Sequence, residues 1–158
     1  MKYNDDIKID IKNIIMGSAN NKFLFRYPSQ SINYVECHDN NTFFDKTVKA
    51  LPLADVKEVK KRQRLASSIV ILSQGVPFIH SGQEFYRTKF GVHNSHRDND
   101  EINNFDWTRL ESHCAEITEF SRFVQLRKEL KTLRLTNKKD IEEIIKITEV
   151  EDGIFEYS

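Results

Sequence analysis

Apolar residues change their spacing along the chain, and each change predicts a different element. The isoleucines within residues 10–16 lie at helical spacing, and Gly17 follows them as a stop signal. Residues 31–37 alternate instead, with Ile32 and Tyr34 on one face and further apolar residues on the other. Because apolar residues occupy both faces, this segment is predicted to be a buried strand.

Two helices are predicted after this strand. Residues 42–51 form the first, which Pro52 ends, and Asp55 caps a longer second helix whose apolar residues run toward a glycine. The short apolar run of residues 76–80 follows at once and predicts a second core strand. The order of strand, helices and strand is typical of a βαβ crossover.

Residues 82–113 form a long and mostly polar stretch, and loops of this length are usually functional or disordered. Its main apolar anchors are expected to be Phe85, Phe90, Ile102, Phe105 and Trp107. Helical periodicity returns over residues 116–130. Residues 145–157 then alternate on either side of Gly153, which predicts a β-hairpin.

Charge and composition exclude several kinds of partner. The 158 residues include 24 basic and 24 acidic side chains, so no net charge favours nucleic acid or an anionic membrane. The N-terminus has no apolar segment of an export signal, and no stretch approaches the ~20 apolar residues of a membrane span. Cys37 and Cys114 are predicted to be free thiols. We assign no cofactor and no metal ligands to the chain.

Two polar segments follow the predicted strands. His38 and Asp39 emerge where the first strand ends, which is where ligands bind in parallel α/β folds, although a helix-capping turn explains the same residues equally well. After the second strand, carboxylate, amide and aromatic residues in 82–107 suit sugar recognition. From the residues alone, a solvated loop anchored by Trp107 is the favoured interpretation of that second segment.

A resemblance to a known family favours the functional interpretation of both polar segments. The sequence QSINYVECHDN of residues 30–40, followed by Phe-Asp-Lys at 44–46, resembles the fourth signature region of type I pullulanases, in the α-amylase clan (glycoside hydrolase family 13). The sequence SQGVPFIHSGQEFYRTK of residues 73–89, with parts of 94–107, is similar to the segment around that family's eighth barrel strand. The resemblance covers roughly residues 10–130 in consistent order.

The resemblance implies a fold and a division of the chain. We expect an α/β fold that supplies the last two strand-helix units of an incomplete TIM (β/α)8 barrel, since a full barrel takes about 250 residues. Residues 1–135 would be the C-terminal portion of the catalytic barrel. Residues 136–158 would begin a truncated C-terminal β-sandwich domain.

The resemblance also implies roles for four residues. Asp39 matches the third catalytic carboxylate, which stabilises the transition state, and His38 matches a residue that hydrogen-bonds the sugar. Asn94 and Asp100 are expected to contact substrate. The loop departs from the family pattern at residues 96–99. The family's usual residue at position 96 is expected to be aromatic, whereas this chain has His96.

The implied function is cleavage of α-1,6-glucosidic bonds with retention, in pullulan, glycogen or starch limit dextrins. A retaining glycosidase also needs a carboxylate nucleophile and an acid/base, which the clan places on earlier strands. We therefore expect a chain that is inactive alone. The alternatives are a non-catalytic carbohydrate-binding module, a module that complements the missing N-terminal half of the barrel, and part of an isoamylase-like or branching enzyme.

Overall fold

The structure is a computed structural model that describes residues 5–18 and 25–158, with side chains from Lys8 onward. Its helices are α1 (Asp5–Ile15), α2 (Phe43–Ala50), α3 (Val56–Leu72), α4 (Asp100–Asn103), α5 (Trp107–Ser112), α6 (Cys114–Glu129) and α7 (Lys138–Ile144). Its strands are β1 (Ile32–Asn33), β2 (Val76–Pro77), β3 (Ile147–Glu151) and β4 (Ile154–Tyr157). Short 3-10 turns lie at Pro28–Gln30, Gln83–Phe85 and Lys131–Arg134. No helix among these residues is both long and apolar enough to cross a membrane.

β1 and β2 pair in parallel, with Ile32 opposite Val76 and Asn33 opposite Pro77. The chain between them forms α2 and α3, so the predicted βαβ order is confirmed. A separate two-stranded sheet, β3 with β4, is antiparallel and confirms the predicted hairpin. The chain therefore has a mixed helix and strand fold with few strands in its described part. The barrel assignment stays a prediction.

The prediction of two buried core strands was wrong in the length of the strands and in which side chains they bury. Each parallel strand has only two residues, and Ile32 and Tyr34 are 61% and 57% exposed. The side chain of Asn33 is buried instead, and its amide donates to the backbone oxygen of Gln74 at 2.6 Å. Each strand has one hydrogen-bonded neighbour within the described residues, so no second strand there extends the pairing or covers the apolar faces.

The chain divides into two compact units. Unit 1 comprises Met1–Asn33, Leu72–Pro77 and Arg127–Ser158, and unit 2 comprises Tyr34–Ile71 and Phe78–Leu126. This division into compact units differs from the domain boundary expected after residue 135. That boundary concerns the domains of a larger protein and stays a prediction.

Unit 1 contains a small apolar cluster built on α7, a helix that the sequence analysis did not predict. Ile141 and Ile145 are its buried centre. Met16, Leu135, Ile147 and Tyr157 pack around them. The Asn137 side chain caps α7 by accepting from the Asp140 amide, so the local signal for this helix was present.

Buried polar groups hold the start of β2 within unit 1. The Gln74 side chain donates to the Thr132 oxygen at 2.7 Å and accepts from the Leu135 amide at 3.0 Å. The Arg127 guanidinium donates to the backbone oxygens of Ser73 and Gly75 at 2.6 and 2.7 Å. These bonds give hydrogen-bond partners to backbone carbonyls that burial separates from water.

Unit 2 is built from α2, α3, α6 and the long polar segment. Thr42 caps α2, and the Asp55 carboxylate accepts from the Glu58 amide at the start of α3, so both predicted helices are confirmed. α6 confirms the helical periodicity of residues 116–130. Ion pairs from Lys60 to Glu116, at 2.8 Å, and from α3 residue Arg64 to Glu119 join α3 to α6.

The segment of residues 82–113 is more ordered than a long loop. It contains α4 and α5, which Asn99 and Asp106 cap with their side chains. Phe85 is 2% exposed and anchors the segment as predicted, and its ring contacts those of Phe105 and Trp107. Phe90 and Trp107 were wrong choices of buried anchor, because their side chains are 69% and 63% exposed, although the Trp107 ring still packs beside Phe85.

Candidate active-site segment

His38 and Asp39 lie in the turn that connects β1 to α2. Their side chains are 83% and 70% exposed, and His38 Nε2 lies 3.6 Å from Asp39 Oδ2. The next residue, Asn40, has a φ of 60°, a left-handed conformation that reverses the chain toward α2. Both predicted side chains are therefore open to a ligand at the carboxyl end of a parallel strand.

Lys89 lies beneath this turn and is only 1% exposed. Its Nζ donates to the backbone oxygen of His38 at 3.0 Å. Burial lowers the pKa of Lys89, and the charge of Arg87 lowers it further, while the carboxylates of Asp45 and Asp39 oppose that change. A buried ammonium group thus supports the exposed His38-Asp39 pair from within unit 2.

Asp45, a buried residue of α2, joins that helix to the segment after β2. One carboxylate oxygen accepts from Thr88 Oγ1 at 2.5 Å, and the other accepts from the Lys89 amide at 2.8 Å. The carboxylate is therefore fully engaged in holding Thr88 and Lys89 in place. Charge-assisted bonds of this kind are stronger than neutral ones.

A second buried chain of polar groups runs from Glu36 through His80 to Arg87. His80 Nδ1 lies 3.2 Å from Glu36 Oε1, and the other Glu36 oxygen accepts from the Phe43 amide. Arg87 contacts His80 Nε2 at 3.4 Å and donates to the Asn103 oxygen at 2.6 Å. Burial lowers the pKa of Arg87, and the negative charge of Glu36 opposes this.

Asn94 and Asp100 are exposed in the segment that Asn103 holds. Asn94 Oδ1 accepts from His96 Nδ1 at 3.0 Å, and Asp100 begins α4. The Asn103 amide donates to the Ser95 oxygen at 2.7 Å. Within the described residues, the bonds of Asn94 and Asp100 stay inside their own segment, whereas His38 and Asp39 lie side by side.

The sequence analysis missed the buried polar residues behind the site. Glu36 sits in a segment predicted to be a core strand, and a carboxylate there requires a partner, which was the available signal. Lys89 gave no such signal, because it lies in a polar stretch where lysine is normally solvated. In the part of the chain that the structure describes, no group of three or more His, Cys, Asp or Glu side chains is placed to hold a metal ion.

Comparison with known proteins shows that this chain is similar to pullulanases. The pullulanase of Bacillus subtilis (strain 168) is 47% identical to this chain over 130 residues, which are 82% of this chain and 18% of that protein. The crystal structure of the type I pullulanase from the same strain, complexed with maltose, superposes with a TM-score of 0.90 at 43% identity. The chain is related to type I pullulanases.

Other pullulanases agree with this relationship. The pullulanase of Anoxybacillus sp. LM18-11 complexed with maltotetraose has a TM-score of 0.92 at 39% identity and covers 98% of this chain. The maize protein isoamylase SU1 is 33% identical over 82 residues, or 51% of this chain. No family model matches the chain. The chain covers 18% of the curated B. subtilis pullulanase and 21% of the solved one, so it spans about a fifth of the length of each.

Proposed function

We propose that this chain forms the part of a starch-debranching glycoside hydrolase that presents the carboxylate of Asp39 to the reacting sugar. The observation that carries the proposal is the exposed His38-Asp39 pair in the turn between β1 and α2, above polar residues that are buried and hydrogen-bonded. The similarity to pullulanases supports the same assignment.

The proposed chemistry follows from the charge of the reacting sugar. Glycoside cleavage passes through an oxocarbenium-like state, and a fixed carboxylate beside the ring attracts the positive charge as it develops. Asp39 would supply this attraction without forming a bond. His38 would donate a hydrogen bond to a sugar hydroxyl, and Asn94 and Asp100 would contact more distant parts of the substrate.

The proposed substrates are α-glucans with α-1,6 branch points, such as pullulan, glycogen and starch limit dextrins. Solved pullulanases are complexed with maltose, maltotriose or maltotetraose, which supports a maltooligosaccharide as the bound unit. We also propose that residues 1–135 belong to a catalytic (β/α)8 barrel and that residues 136–158 open a β domain. The parallel β1–β2 pair and the β3–β4 hairpin support this division.

We further propose that the chain is inactive alone. A retaining glycosidase needs a nucleophile and an acid/base about 5 to 5.5 Å apart. Glu36 and Asp45 are buried, and their carboxylates are already occupied by amide, hydroxyl and imidazole partners. These contacts support a structural role for both residues, so the reacting carboxylates would come from another part of a complete barrel.

Reducing-end release from pullulan tests the proposal. The purified chain, its Asp39→Asn variant and a protein-free blank are compared first, and all three are expected to give the same signal. Hydrolysis by the unmodified chain that Asp39→Asn abolishes would contradict the proposed inactivity and place the reacting carboxylates within these 158 residues.

A chimera then tests the role of Asp39. This chain replaces the matching region of the B. subtilis pullulanase, and the chimera is expected to hydrolyse pullulan and to lose that activity with Asp39→Asn. A folded chimera that binds maltotetraose without hydrolysing pullulan would instead support a non-catalytic carbohydrate-binding module. Retention of full activity by Asp39→Asn would refute the role of Asp39.

A further inference from the structure

We propose that Lys89 is a positioning residue that fixes the backbone of the His38-Asp39 turn through its buried ammonium group. The proposal rests on the proposed role of Asp39 and adds a residue that the resemblance leaves without a function.

The Lys89 residue is held at both ends. At its base, the Lys89 amide donates to Asp45 Oδ2 at 2.8 Å, and the neighbouring Thr88 hydroxyl donates to Asp45 Oδ1. At its tip, Nζ donates to the His38 oxygen at 3.0 Å. A lysine normally has large side-chain freedom, and here burial and these two anchors remove it.

The bond from Lys89 Nζ goes to the carbonyl of His38. The carbonyl of His38 belongs to the same planar peptide unit as the amide nitrogen of Asp39. Holding that oxygen therefore fixes the plane from which the Asp39 side chain departs. The following residue, Asn40, adopts a left-handed φ of 60°, which an L-residue keeps only when its surroundings determine it.

Lys89 does not act on the substrate itself. Lys89 is 1% exposed, so its ammonium group cannot reach a sugar bound outside the turn. The carboxylates of Asp45 and Asp39 offset only part of the effects of burial and of Arg87, which still lower the pKa of Lys89. Lys89 therefore acts through His38 and Asp39 rather than on the substrate.

Backbone dynamics of the chain test the contact directly. Lys89→Met keeps most of the apolar stem and removes the ammonium group. Amide ¹⁵N order parameters at residues 38–40 are expected to fall from about 0.85 to below about 0.6, while those of α2 and α3 stay unchanged. Unchanged order parameters at residues 38–40 in a folded Lys89→Met chain would overturn the proposal.

Lys49→Met is the matched control. Lys49 also donates from Nζ to a backbone oxygen, that of Gly91 at 2.6 Å, but it is exposed and its bond goes to an oxygen outside residues 38–40, one that the Asn41 side chain also bonds at 2.9 Å. This variant is expected to leave residues 38–40 as ordered as in the unmodified chain. Equal loosening in both variants would show a general effect of removing a lysine and would count against Lys89.

Amine reactivity of the unmodified chain covers the case in which Lys89→Met does not fold. Brief reductive methylation, followed by peptide mass analysis, is expected to modify exposed lysines such as Lys46 and to spare Lys89. Methylation of Lys89 as fast as Lys46 would show that its amine is free, and the proposal would fail.

Steady-state kinetics of the chimera then separate the two proposals. Lys89→Met is expected to lower kcat on the order of 10²-fold, the cost of a small misplacement of a catalytic group, with KM for a maltooligosaccharide nearly unchanged. Lys89→Arg, which keeps a buried donor, is expected to recover part of kcat. If Asp39→Asn is inactive and Lys89→Met is fully active, positioning by Lys89 is refuted. If Asp39→Asn keeps full activity, the proposed function fails instead, and the order parameters still decide whether Lys89 holds the turn.

Discussion

His80 Nδ1 and Glu36 Oε1 lie 3.2 Å apart, and both residues are buried. Arg87, which can only donate hydrogen bonds, contacts the other imidazole nitrogen at 3.4 Å. His80 Nε2 is therefore the acceptor, and the proton on Nδ1 is donated to Glu36. The pair connects Glu36, which lies three positions before Asp39, to the segment after β2. It also fixes one tautomer of His80.

Glu36→Gln tests this arrangement. The glutamine can accept from the Phe43 amide only if its own amide group faces the protonated Nδ1 of His80, so two donors meet. We expect a loss of about 1–3 kcal/mol in the free energy of unfolding, measured by urea titration with circular dichroism. The control is Glu58→Gln, which removes an exposed pair with Arg62 and should cost less than about 0.5 kcal/mol. Equal losses for the two substitutions would show that the buried contact contributes no more to stability than the exposed pair.

Asp45→Asn should destabilise the chain for a related reason. Both carboxylate oxygens of Asp45 accept hydrogen bonds, from Thr88 and Lys89, and an amide presents a donor to one of them. The expected loss is again about 1–3 kcal/mol in unfolding free energy. Asp55→Asn is the matched comparison, because asparagine caps a helix as well as aspartate does, and it should be close to neutral. A neutral Asp45→Asn variant would contradict the interpretation of Asp45.

Arg127→Lys examines unit 1. The guanidinium of Arg127 reaches the oxygens of Ser73 and Gly75 together, and an ammonium group lacks the planar fork that spans both. We expect a lower melting temperature, corresponding to a loss of about 1–3 kcal/mol. Substitution of the nearby but exposed Lys131 by arginine leaves these carbonyl bonds intact and should leave the melting temperature unchanged. A melting temperature for Arg127→Lys equal to that of the unmodified chain would show that one donor suffices.

Tyr86 gives a prediction in alkaline solution. Burial, followed by the negative charges of Glu116 and Glu119, raises the pKa of Tyr86 to about 12. The unfolded state loses this proton near the ordinary tyrosine value of about 10, while the folded state keeps it. The contribution of Tyr86 to stability is therefore complete below pH ~10 and is lost as the pH rises toward 12.

Absorbance titration of tyrosinate checks this value. The difference between the unmodified chain and Tyr86→Phe isolates the ionisation of Tyr86, which should have its midpoint near 12 in the folded chain. In concentrated urea the same difference should move to about 10. A midpoint near 10 in the folded chain would show that the Tyr86 hydroxyl is hydrated.

The elements that the sequence predicted well depend on local signals. Pro52 ends α2 and the carboxylate of Asp55 caps α3, and both features lie beside the helices that they delimit. The parallel strands depend on partners elsewhere in the chain, and their apolar runs predicted more pairing than the two residues of each strand. The α7 helix was missed because no element was predicted between residue 130 and the hairpin that begins at residue 145, although Asn137 caps it.

The candidate site was predictable only in its exposed part. The end of the predicted strand already indicated His38 and Asp39, whereas the roles of His38, Asp39, Asn94 and Asp100 came from the resemblance and stay predictions. The supporting pairs Glu36 with His80 and Asp45 with Lys89 each join residues 44 positions apart, and no local pattern indicates which distant polar residue will satisfy a buried carboxylate. Only the three-dimensional structure brings them together.

Unit 1 gathers residues from the beginning, the middle and the end of the sequence, whereas every residue of unit 2 precedes Arg127. During synthesis on the ribosome, all residues of unit 2 have therefore emerged once Leu126 has left the exit tunnel. Unit 1 must wait for the segment that contains α7 and the hairpin, because Ile141 and Ile145 form its buried centre. The order of translation thus leaves α1 and the start of β2 without their final contacts until the last residues of this sequence have emerged.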